Sequence, residues 1–318
     1  MTRKALIGAF RAAALAGAFF LAGGAIPVLG GVAMLFAPAP ILIFTVGRPA
    51  VIWRTLISIG LAAGLVAVLT GPVAGISYLV TFGLATAVMC YLLERQFPFE
   101  AIVAITGIVM LLASGLAALA VTESPAALVK AVHDQLAAGM TRGQELYKLA
   151  GLQGAVPADT QASILSVTLR VMPALAAILA AVSVLANLRV FWRWVGKQRL
   201  SYLLFNDLNR WSAPEWLIWA LIATGFGMVI PLAPVRDVAL DLFLCVAAVY
   251  FCQGLAIMGF YFQMLAVPSA VRALIYFVTI VQPVVAAIVC VAGIFDMWID
   301  FRRLKPPSQA AGNFGDFL

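Results

Sequence analysis

The chain has 318 residues, 64% hydrophobic and 10% charged, with 20 basic and 13 acidic side chains and a net charge of +7. A soluble domain is roughly 45–50% apolar and about 25% charged, so a water-soluble fold is excluded. The basic excess suits the flanks of membrane spans, where it fixes orientation, and no basic run reads as a nucleic-acid groove.

Apolar runs of about 20 residues recur along the chain and predict an all-α polytopic transmembrane bundle. Residues 1–305 read as a single transmembrane domain and 306–318 as a short polar tail. The N-terminus "MTRKALIGAFRAAALAGAFFLAGGA" resembles a signal peptide, but Arg11 interrupts it and more apolar sequence follows at once. It reads as an uncleaved first span over 5–22. Its small residues repeat at four-residue spacing, Ala12 with Ala16 and Ala13 with Gly17. Such spacing permits close helix packing and offers a face for a membrane partner; in so alanine-rich a segment it also arises by chance.

Residues 25–46 contain "FAPAP", and Pro38 and Pro40 break or kink that helix. The segment is either a full span or a broken, partly re-entrant one. Spans follow at 55–70, 73–93 and 99–121. Residues 122–160 are the one sizeable extramembrane stretch. Ser124 as N-cap and Pro125 at the first helical position start a helix there. Leu128, Val132, Leu136 and Met140 form one apolar stripe, which predicts an external amphipathic helix.

A span over 161–188 leads to a basic loop at 189–210, with Arg189, Arg193, Lys197, Arg199 and Arg210. Five cations interleaved with tryptophans suit a cytoplasmic, anionic-lipid interface. The remaining spans read at 214–232, 238–262 and 273–298, eight or nine in all. Counting nine puts Arg302, Arg303 and Lys305 outside, against the positive-inside tendency. Either the tail is external or one of the last three segments is not a true span.

Polar groups inside apolar runs are candidate ligand or coupling residues, because a charge at the bilayer centre costs about 2.5–3.5 kcal/mol. Arg170 is such a site, or a structural ion pair, or a snorkelling side chain. Gln253 and Gln282 either join helices or line a cavity. Asp296 and Asp300, four apart near the last helix C-terminus, oppose both each other and the helix dipole. Arg303 can neutralise Asp300. Asp296 has no cation within four positions, so it is expected to pair with another segment, with Arg272, Arg54 and Arg170 as candidates, or to form a proton, cation or ligand site.

Enzyme chemistry finds no footing: His133 is the single histidine, and no phosphate-binding loop occurs. No metal site and no cofactor are expected. The four cysteines lie inside apolar runs and read as small hydrophobes.

"YFCQGLAIMGFYFQ" (250–263), "IFDMWIDFRRLKP" (294–306), "WSAPEW" (211–216) and "FAPAPILI" (36–43) together resemble the YybS-like family over roughly residues 10–304. These are bacterial multi-span membrane proteins carrying a domain of unknown function. The family is similar at the level of fold to the substrate-capturing subunits of energy-coupling-factor vitamin transporters, six-helix proteins whose first helix docks a partner through small residues. The present chain departs from them by two or three extra spans and the external segment at 122–160. The resemblance carries no established activity; analogy between folds alone suggests a bacterial inner-membrane protein that is transport-related and substrate-binding, and the missing phosphate-binding loop leaves it without its own ATPase. The alternative is a structural or regulatory membrane protein acting through a partner or its basic loop.

Overall fold

The computed structural model describes residues 3–26, 29–122, 124–149, 157–195 and 205–302. Every long regular element among them is helical, as expected where hydrocarbon leaves each backbone polar group to be satisfied within its own segment. The chain divides into two compact units, Met1–Leu203 and Leu204–Leu318.

In the first unit, α1 (Arg3–Ala25) is followed by two short helices, α2 (Leu29–Met34) and α3 (Ala39–Thr45). The proline pair separates them, so the expected span at 25–46 is broken. It runs back along α1 nonetheless: Met34 packs on Gly23 and Phe44 on Gly8. Next come α4 (Val51–Thr70), α5 (Pro72–Tyr78), a π-helical turn (Leu79–Gly83) and α6 (Leu84–Glu94). α7 (Phe99–Thr122), α8 (Pro125–Leu149) and α9 (Ala158–Val195) complete the unit.

Its core forms where small residues let helices meet. Ala12, Ala13 and Ala16 are buried against Ile59, Ala62 and Val66 of α4, with Tyr78 and Phe82 beside them. Gly17 faces Leu65 and Val66. The small-residue face expected to receive a membrane partner is therefore covered by the chain's own α4. The spacing identified a packing face correctly but could not name its occupant.

In α8 the Ser124 hydroxyl accepts the Ala127 N–H at 3.1 Å, the expected cap. Leu128, Val132, Leu136 and Met140 are half-buried, as are Ala137, Gly143 and Gln144, among mostly exposed neighbours, and α8 packs against α7 and α9. α9 has 38 residues, about 57 Å at 1.5 Å per residue. It includes 189–195, which the sequence reading placed in a loop. Leu188 and Phe191 are fully buried, so the apolar face continues past Arg189 and carries the helix with it.

The second unit holds a 3-10 turn (Phe205–Arg210), α10 (Leu217–Gly227), α11 (Ala233–Met264), α12 (Ser269–Val281) and α13 (Pro283–Ile299). The expected span at 214–232 contains only 11 helical residues. The one expected at 273–298 is bent by 100° between α12 and α13. Pro283 causes the break: it lacks an N–H and pushes the preceding residue out of helical space, and Gln282 is extended at φ −95° and ψ 108°.

Among the described residues, six helices are long and apolar enough to cross a membrane, or up to seven if the bent pair is one span. The higher count from sequence includes 25–46 and 214–232, whose helices are short.

Candidate functional site

Two polar regions stand out, one in each unit. In the second unit, α11 and α13 touch through glycine. A Cβ on Gly254 would meet the Val289 carbonyl, and one on Gly293 the Tyr250 carbonyl. This close approach brings Asp296, one turn beyond Gly293, against Gln253 of α11.

The Asp296 carboxylate is 5% exposed and fully engaged. Its Oδ2 accepts the Gln253 amide at 3.0 Å and an Arg302 Nη2–H at 2.6 Å. Its Oδ1 accepts the Phe301 N–H at 3.1 Å. The Gln253 Oε1 in turn accepts the Ala213 N–H at 3.1 Å. Arg302 is also buried and donates Nη1–H to the Asn209 and Trp211 carbonyls at 2.8 and 2.9 Å. The network ties the end of α13 to α11 and to the segment before α10.

Asp300 makes this possible. It leaves the helix at φ 46° in the left-handed region, which Asp tolerates better than most residues. The chain then doubles back and returns Arg302 to the carboxylate six positions earlier. The expected cation from Arg272, Arg54 or Arg170 is thus replaced by Arg302. A search limited to one helical turn could not see a residue returned by a left-handed cap. Arg272 instead donates Nε–H to the Val267 carbonyl. Arg303, expected to neutralise Asp300, lies outside the described residues.

The other candidates do not join this cluster. Gln282 is exposed at the α12–α13 bend, and Arg170 is exposed on α9. Arg189 lies 5.5 Å over the Trp192 ring. Arg193 and Arg210 are exposed, while Lys197 and Arg199 lie outside the described residues. Among the described residues no group of three His, Cys, Asp or Glu side chains could hold a metal.

The first unit contains the polar region that sequence reading missed. At the break, the Ala39 N–H turns to the Phe36 carbonyl at 3.1 Å. The Leu35 carbonyl loses the helix partner it would have had there. α9 supplies substitutes: Ser183 Oγ–H at 2.8 Å and Asn187 Nδ2–H at 2.7 Å. Between α3, α4 and α6 lie the buried Thr45, Thr55, Ser58 and Thr86. Thr45 Oγ1 is 3.4 Å from Cys90 Sγ.

The Ser58, Thr106 and Tyr78 hydroxyls and Asn187 Oδ1 are buried with no hydrogen-bond partner. Every described buried polar side chain in this unit is uncharged. A signal was available: Thr55 with Ser58, and Ser183 with Asn187, repeat at helical spacing on one face of an apolar run. Attention to charges and glutamines alone passed over them.

No curated protein and no solved structure matches the chain. A family profile does match it, over residues 14–297, and the chain belongs to that family, described as "predicted membrane protein (DUF2232)".

Proposed function

We propose that the protein is a transport-related, substrate-binding membrane component of the YybS-like type, multi-pass in the bacterial inner membrane, with no ATPase or catalytic centre of its own. One observation carries this reading. The first unit combines a helix broken inside an apolar segment with buried hydroxyls and one amide oxygen that have no protein partner. Broken helices are tolerated at membrane depth where they are buried in protein or line a cavity, and transporters build binding sites from them. An unsatisfied buried polar group costs about 1–3 kcal/mol, and a polar ligand would offset that cost.

The second reading, a structural or regulatory membrane protein, draws support from the Asp296–Arg302 network. Two candidate ligand residues, Gln253 and Asp296, are spent there on holding helices together.

Purification in mild detergent followed by mass spectrometry separates the two. A small polar molecule should accompany the wild-type protein and be lost from Ser58→Ala and Asn187→Leu. Purified protein that carries lipid alone, with both variants behaving as wild type, would refute substrate binding and leave the second reading.

A further inference from the structure

The bent pair α12–α13 invites a question about parity: does it cross the membrane once, or return to the face it left? Its contacts with α11 decide. Ala247 accepts the Cys290 thiol, Gly293 lies on Tyr250, and Gln253 bonds Asp296. Tyr261 then donates to the Phe301 carbonyl at 2.8 Å. These contacts advance together along both chains, so α13 runs parallel to α11. Two parallel neighbours require the chain between them to come back. α12 is that return, and the 100° bend is its apex at Gln282–Pro283.

We infer that residues 269–299 form a V whose two ends lie on one face of the membrane, so that the C-terminus emerges beside residues 205–213, on the cytoplasmic face. The V adds no crossing or two, never one. Arg302 fixes this independently of helix direction, because its guanidinium bonds the carbonyls of Asn209 and Trp211. A tail on the opposite face could not reach them.

The choice of face comes from what that end displays. Trp216, Trp219 and Trp298 are 65%, 72% and 61% exposed there, and Arg210 is exposed beside them. Exposed tryptophans mark an interface, and excess arginine and lysine marks the cytoplasmic one. Arg302, which nine crossings would put outside, then lies on the same side as Arg210. The V rests on the membrane fold alone and does not depend on a ligand in the first unit.

Cysteine accessibility tests it. In a chain with Cys90, Cys245, Cys252 and Cys290 changed to Ala, single cysteines are placed as Ser212→Cys, Ser269→Cys and Val229→Cys. A membrane-impermeant maleimide should label Ser212→Cys and Ser269→Cys only after permeabilisation. Val229→Cys, in the turn between α10 and α11, should label in intact cells. Labelling of Ser269→Cys from the side opposite to Ser212→Cys would overturn the V, and labelling of both in intact cells would overturn the cytoplasmic assignment. Should the cysteine-free chain fail to fold, the wild-type chain carries the test through fusions after Leu318. Fluorescence of a green fluorescent protein fusion is expected, and an active alkaline phosphatase fusion would overturn the proposal.

Discussion

The polar network of the second unit and the polar interior of the first are opposites. Around Asp296 two full charges are buried, and the carboxylate is met by a cation, an amide and a backbone N–H. In the first unit the buried groups carry no charge, yet several have no partner. Burying a charge is costly enough that the carboxylate is answered at both oxygens, while the Arg302 Nε–H and the Tyr250 hydroxyl nearby stay without a partner. A neutral hydroxyl costs less and can be left for something else to satisfy. The answered carboxylate marks the second region as architecture, and the larger set of unanswered neutral groups marks the first as the place to look for a ligand.

The comparison breaks first at Arg302. Arg302→Ala should lower stability by about 3–5 kcal/mol, because it strands a buried carboxylate. Thermal unfolding in detergent measures this, with membrane insertion unchanged. Replacing both partners by leucine should cost less than the single change. An unaltered unfolding temperature in Arg302→Ala would end the clamp interpretation.

A smaller loss, about 1–3 kcal/mol, is expected for Gly293→Ala, whose Cβ would press on the Tyr250 carbonyl. Gly60→Ala is the control. Nothing lies within 4 Å of its Cβ position, and removing a mid-helix glycine should stabilise by roughly 0.5–1 kcal/mol. Equal effects from the two substitutions would mean that α11 and α13 do not meet at Gly293.

Ser58→Ala sharpens the other side of the comparison. Removing a buried, partnerless hydroxyl should raise the stability of ligand-free protein by about 1 kcal/mol. A loss of similar size would show that the hydroxyl is satisfied within the fold and that the first unit resembles the second.

The smallest effect belongs to Ser124→Ala, outside both regions. Loss of its cap should destabilise α8 locally by about 1 kcal/mol or less. Faster hydrogen exchange in the first turn of α8, with α7 and α9 unaffected, is the expected reading.

Much of this was legible in the sequence where the signal is local. Ser124 with Pro125 announced a helix start, and the four-residue stripe of α8 announced its packed face. Pro38 and Pro40 announced a break. Pro283 lies inside the apolar run at 273–298, which reads as one span from composition. Composition sees only that a run is apolar; the backbone geometry before a proline decides whether it stays straight. The same limit applies to 189–195, where the basic residues suggested a loop while buried Leu188 and Phe191 held the helix together.

By itself the sequence determined the membrane class, the helical character of the segments and most of their positions, because apolar length and the absence of water in hydrocarbon leave few choices. It also singled out Asp296 as needing a cation. Tertiary structure alone decided which cation answers, that the small-residue face of α1 is covered by α4, and that α13 runs parallel to α11. Those outcomes depend on contacts between residues far apart in the chain or returned by a left-handed turn, and neither periodicity nor composition encodes which distant face a side chain will meet.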